Sequence, residues 1–86
     1  MNSILNELIE LGCYKEGEFM LKSGRKSNYY IDLRILVSYP EILKKISNLL
    51  YDRIKDVDGK ICGLPYAGIP YAQTISVMNN RPMILL

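Results

Sequence analysis

Eighty-six residues are enough for one small domain, and a chain of that size buries only about 60–65% of the surface its unfolded form exposes. A hydrophobic fraction of 49% excludes a disordered tail, and a net charge of +2 with eleven scattered Lys and Arg gives no electrostatic ground for nucleic-acid binding. Histidine is absent, which removes the commonest general base, the Ser-His and Cys-His nucleophile pairs and most zinc sites.

Apolar runs fall far short of the roughly 20 residues needed to cross a bilayer, so no membrane association is expected. Met1-Asn2-Ser3-Ile4 places no basic stretch ahead of an apolar one, so no secretory leader is expected and a cytoplasmic location is. Cys13 and Cys62 are far apart and are expected as reduced thiols, one near a helix end and one inside an apolar strand.

In chain order, Ile4, Leu5, Leu8, Ile9 and Leu11 recur at helical period, with Asn2 or Ser3 as the N-cap and Gly12 as the stop. Cys13 to Leu21 reads as a strand that ends at the Ser23-Gly24 turn. Ser27 to Leu36, rich in aromatic and β-branched residues, reads as its hairpin partner. Pro40 opens a second helix with Glu41 beside its positive end, and Ile42, Leu43, Ile46, Leu49, Leu50 and Ile54 form its apolar stripe. Lys60 to Leu64 reads as a buried strand, Pro65 to Pro70 as a loop, Tyr71 to Met78 as a helix, and Pro82 to Leu86 as the start of another strand. Strand, helix, strand in that order predicts a parallel pair.

The expected class is therefore α/β: an N-terminal helix plus β-hairpin (residues 1–36), then the first βαβ unit of a parallel sheet (residues 37–86). Together they would make one domain. With Met83-Ile84-Leu85-Leu86 at the end and nothing after it to flank the sheet, that sheet is expected to be incomplete at the C-terminus.

Four places carry possible chemistry. Lys22-Ser23-Gly24 puts a lysine at a hairpin tip where it can reach a phosphate, although the spacing alone favours a plain turn with a solvated lysine. Tyr29-Tyr30 send consecutive side chains to opposite faces, so one ring is expected in a core and the other free to stack on a planar ligand; a strand that merely favours aromatics explains the pair equally well. Asp32 and Arg34 would share one face and pair with each other or across the hairpin, a structural role. The loop Cys62-Gly63-Leu64-Pro65-Tyr66-Ala67-Gly68-Ile69-Pro70 follows a strand and enters a helix, where open α/β sheets bind ligands. Its glycines permit close backbone approach, and the helix start is expected to offer N–H groups to a phosphate or diphosphate.

Taken together, three stretches resemble orotate phosphoribosyltransferase, including the corresponding domain of UMP synthase. They are Gly17-Glu18-Phe19-Met20-Leu21-Lys22-Ser23-Gly24-Arg25-Lys26-Ser27 with Tyr29-Tyr30-Ile31-Asp32-Leu33-Arg34, then Ile61 through Ala72, then Asn80-Arg81-Pro82-Met83-Ile84-Leu85-Leu86. The resemblance implies a phosphoribosyltransferase-type sheet whose N-terminal helix and hairpin form a hood. It also implies conversion of orotate and phosphoribosyl pyrophosphate (PRPP) to orotidine 5'-monophosphate and pyrophosphate, in pyrimidine biosynthesis, with Mg²⁺ carried on the PRPP diphosphate. Lys22 would contact PRPP, Tyr29 and Tyr30 would occupy the orotate position, and Tyr66 and Ala67 would hold the pyrophosphate after a cis Pro65–Tyr66 peptide. No catalytic or metal-ligating side chain is assigned. Chemistry at the sugar carbon would pass through an oxocarbenium-like state, with the protein positioning and stabilising the departing pyrophosphate.

Family members are more than twice this length and are implied to be homodimers. Their basic loop that clamps pyrophosphate and their ribose 5-phosphate loop would follow Leu86, so no turnover is expected from these 86 residues alone. The alternative from another class is a non-catalytic partner that modulates a full-length transferase.

Overall fold

The computed structural model describes residues 2–86, with side chains from residue 4 onward, so the capping side chains expected at Asn2 or Ser3 lie outside what is described. The chain divides into two compact units, Met1–Ile35 and Leu36–Leu86.

The first unit is helix α1 (Asn2–Glu10) followed by strands β1 (Tyr14–Met20) and β2 (Lys26–Ile31). Gly12 ends α1 as expected. Its N–H donates to Ile9 O at 3.1 Å while the Cys13 N–H reaches back to Leu8 O at 2.9 Å, and its φ of +81° is a left-handed value that favours glycine. β1 and β2 pair antiparallel, with Tyr14 opposite Ile31, Lys15 opposite Tyr30 and Glu16 opposite Tyr29. Beyond a bulge the register resumes with Phe19 opposite Ser27 and Met20 opposite Lys26. Gly17, at φ +146°, lies in that bulge, where an extra residue forces an irregular backbone.

The second strand was expected to run to Leu36, but it stops at Ile31 and a 3₁₀ turn occupies Arg34–Ser38. The Asp32 carboxylate accepts from the Arg34 backbone N–H at 3.0 Å. A side-chain-to-backbone bond two residues ahead offers the chain a turn in place of a strand.

The second unit holds helix α2 (Pro40–Ile54), strand β3 (Ile61–Cys62), helix α3 (Ile69–Asn79) and strand β4 (Met83–Ile84). Pro40 takes the first turn of α2, where its missing N–H costs nothing, and Glu41 and Arg53 sit at the ends that suit their charges. Ile42 is buried and Leu50 is exposed on this helix. β3 and β4 pair in parallel, Ile61 with Met83 and Cys62 with Ile84, as the strand–helix–strand order predicted. Both strands are shorter than their apolar runs, and Leu64, Leu85 and Leu86 are exposed.

The core of this unit is Ile61, Ala72 and Ile75, with Tyr51, Ile54 and Met83 packed against it. Alternation along β3 sends Ile61 inward and leaves Cys62 exposed, which corrects the expectation of a cysteine within a buried strand. Both cysteines are free thiols, as expected. No helix among the described residues is long and apolar enough to cross a membrane.

Arg81 fastens this unit. Its guanidinium donates to three main-chain carbonyls: Ile54 O at 3.4 Å, Val57 O at 2.8 Å and Gly59 O at 2.6 Å. It also lies 5.9 Å from the centre of the Tyr51 ring. Those carbonyls belong to the end of α2 and the turn after it, where helix geometry leaves acceptors unpaired. Arg81's own backbone N–H donates to Ser76 O at 3.1 Å, just beyond the left-handed cap residue Asn80.

Candidate functional site

In the first unit, Lys22 lies at the exposed hairpin tip, as the turn signal required. The tip is closed by Leu21 N–H to Arg25 O and Gly24 N–H to Leu21 O, both 2.9 Å, with Gly24 at φ +86°. An extended lysine beside such a turn presents its ammonium to solvent and to any anion that arrives.

The Tyr29 ring stacks on Tyr14 at 6.1 Å, and the Tyr30 ring tilts against Phe19 at 5.6 Å. Tyr29 remains 51% exposed and Tyr30 38%, so neither ring enters a core, contrary to the expectation for one of them. On a two-stranded hairpin each ring finds its neighbour on the partner strand, and aromatic pairing replaces burial. Ser27 shapes the backbone here: its Oγ accepts from Tyr29 N–H at 3.3 Å and donates to Tyr29 O at 2.8 Å.

Asp32 and Arg34 pair with each other, as one of the two anticipated arrangements had it. The Arg34 Nε and Nη2 donate to the two Asp32 oxygens at 2.8 and 2.9 Å. These charge-assisted hydrogen bonds hold the Asp32 carboxyl below the usual range and the Arg34 guanidinium above its own. Burial, and then the Asp32 charge, push the Cys13 thiol upward, which makes it a poor nucleophile.

In the second unit, residues 63–68 carry the chain from β3 into α3. The Pro65–Tyr66 peptide is cis, as the resemblance implied. Tyr66 is 88% exposed and Ala67 is exposed beside it. Gly68 N–H donates to Leu64 O at 2.9 Å and Ile69 N–H to Tyr66 O at 3.1 Å.

This corrects the expectation that the start of α3 would supply the anion donors. Two of its first amides are spent on loop carbonyls, and Pro70 has none. Among the described residues no hydrogen bond engages the amides of Tyr66 and Ala67, so the loop itself keeps unspent donors. Lys22, Tyr29 and Tyr30 thus belong to the first unit, and Tyr66 and Ala67 to the second.

Sequence reasoning missed the work of Arg81, since nothing local distinguishes it from a solvated arginine. The close backbone approach expected at the glycines of the 63–68 loop is present, and it is made between Gly63 and Gly68 themselves: an ideal Cβ on Gly63 would lie 2.5 Å from Gly68 O.

The mixed helix–strand arrangement, with its parallel β3–β4 pair, is that of a phosphoribosyltransferase-type fold. It matches the crystal structure of orotate phosphoribosyltransferase from Aeropyrum pernix with a TM-score of 0.82 at 26% identity, over 96% of this chain and 52% of that one. It matches the structure of Leishmania donovani UMP synthase with a TM-score of 0.84 at 38% identity, over 98% of this chain and 19% of that one.

Within that class the likeness is particular. Over nearly its whole length this chain is similar to the orotate phosphoribosyltransferases and to UMP synthase. The orotate phosphoribosyltransferase of Methanocaldococcus jannaschii is 39% identical over 85 residues, which cover 99% of this chain and 48% of the relative. Uridine 5'-monophosphate synthase of Bos taurus is 32% identical over 88 residues, covering 99% of this chain and 18% of the relative. No family model matches the chain. The chain spans about half the length of the curated orotate phosphoribosyltransferases it matches.

Proposed function

We propose that these 86 residues form the orotate-facing and pyrophosphate-loop portion of an orotate phosphoribosyltransferase. The observation that carries this reading is the 39% identity to the Methanocaldococcus jannaschii enzyme over 99% of the chain, a span that takes in both the hairpin and the 63–68 loop. The reaction joins a ring nitrogen of orotate to the sugar carbon of PRPP as the bond from that carbon to the diphosphate breaks. Its products are orotidine 5'-monophosphate and pyrophosphate.

The hairpin supplies a cation at Lys22 for PRPP and aromatic faces at Tyr29 and Tyr30 for the planar orotate ring. The loop supplies the unengaged amides of Tyr66 and Ala67 for the pyrophosphate. Fixed donors at the leaving group matter most as its negative charge grows, which is where such a reaction gains rate. Magnesium would enter as part of the substrate, on the diphosphate oxygens. Among the described residues no group of three or more His, Cys, Asp or Glu is arranged to hold a metal. A homodimer is proposed for the full-length assembly.

One titration series tests this reading. Adding orotate and then Mg²⁺–PRPP to ¹⁵N-labelled chain should shift the amides of residues 22–30 and of Tyr66 and Ala67, with no orotidine monophosphate formed. A flat response at both places overturns the assignment, and product formed at the full-length rate overturns the inactivity.

A further inference from the structure

We infer that Gly63 and Gly68 act as a backbone lock, the positioning residues that hold the 63–68 loop in one shape. This rests on the reading of that loop as the pyrophosphate site. Glycine is commonly required where φ is positive, as at Gly12 and Gly24. That reason fails here. Gly68 has φ −80° and ψ −18°, an ordinary right-handed conformation open to any residue, and Gly63 is not among the residues with positive φ.

What excludes a side chain is contact between the two backbones. A Cβ on Gly63 would lie 2.5 Å from Gly68 O, 2.7 Å from its carbonyl carbon and 2.8 Å from Ala72 Cβ. A Cβ on Gly68 would lie 2.8 Å from both Leu64 N and Leu64 O. Apart from Ala72 Cβ these are main-chain atoms, which cannot rotate away as a flexible side chain does.

The same atoms carry the loop's hydrogen bonds. Gly68 N–H donates to Leu64 O at 2.9 Å, and Gly68 O accepts from Ala72 N–H at 3.0 Å inside α3. The contact therefore ties the exit of β3 to the first turn of α3 and pinches the loop at its base. Residues 65–67 must project from that pinch, which leaves Tyr66 and Ala67 exposed with their amides unspent. One added methyl at either glycine forces the two backbones apart and moves those donors without touching them.

The test uses the 86-residue chain and inorganic pyrophosphate, with amides read by NMR. In the unaltered chain the amides of Gly68 and Ile69 should exchange far more slowly than those of Tyr66 and Ala67. Equal exchange at all four overturns the lock without any variant being made. Gly68→Ala and Gly63→Ala should each lose that protection and weaken pyrophosphate binding about tenfold or more, while the β1–β2 amides and their response to orotate stay unchanged. Adding Ala72→Gly to Gly63→Ala should not restore binding, because the Gly68 carbonyl still blocks the methyl. Wild-type protection and affinity in Gly68→Ala, or full rescue by Ala72→Gly, would overturn the inference. If the unaltered chain ignores pyrophosphate, the site assignment fails, and the exchange measurements still decide the lock.

Discussion

Replacing Arg81 by Met should cost the second unit a large part of its stability. Methionine keeps an unbranched apolar stem and removes the guanidinium that bridges Ile54 O, Val57 O and Gly59 O and lies over the Tyr51 ring. Hydrogen bonds to a charged group contribute about 1.5–3 kcal/mol when shielded from water. The bond to Ile54 O is long at 3.4 Å, and those to Val57 O and Gly59 O are exposed, so each short bond belongs at or below the low end. A cation at the C-terminal end of α2 adds about 0.3–1 kcal/mol. The sum is a loss of about 2–4 kcal/mol. A chain of this length has about 4–13 kcal/mol in all.

Arg81→Lys should recover no more than about half of that loss, since an ammonium is a compact charge without the planar fork that spans several carbonyls. Urea unfolding followed by circular dichroism gives the free energies, and amide exchange in residues 57–62 localises the damage. A loss below about 0.5 kcal/mol for Arg81→Met, or a lysine variant as stable as the parent, would refute the bridging role.

Two further outcomes follow from side chains away from the proposed site. Because its partner Arg34 lowers the Asp32 pKa on folding, the pair's contribution is complete above the unfolded value of about 3.9 and disappears as pH falls through the lower folded value. A carboxyl ¹³C titration should therefore find Asp32 ionising below an ordinary aspartate, and Arg34→Gln should bring it back up; an ordinary midpoint in the unaltered chain would contradict the pairing. Ser47 on α2 is buried with no partner for its Oγ among the described residues. Ser47→Ala should raise the urea midpoint, by up to about 1 kcal/mol in stability, and a fall would reveal a bond that the serine makes.

Elements were legible where the signal is local. Gly12 ends α1 and Pro40 starts α2 because each acts through its own φ or its own missing N–H, whatever surrounds it. The parallel β3–β4 pairing followed from element order alone. The expected strand through Leu36 failed because Asp32 can satisfy the Arg34 amide either in a turn or not at all, and alternation of apolar and charged residues does not distinguish these. Within the proposed site, the residue types at Lys22, Tyr29, Tyr30, Tyr66 and Ala67 were readable from the quoted stretches. Their surroundings were not.

By itself, then, the sequence determined the order and kind of the elements, the glycine and proline boundaries, and the likeness to orotate phosphoribosyltransferase. All of these reside in residue identity and short spacing. Tertiary structure alone decided that both tyrosine rings stay exposed on aromatic neighbours, that the amides opening α3 are already spent, and that Arg81 joins Ile54, Val57 and Gly59 across more than twenty residues. It alone decided that Gly63 and Gly68 answer to each other. The physical reason is the same in each case: a hydrogen bond or a steric exclusion belongs to a pair of groups, and the chain states each member of the pair without stating that they meet.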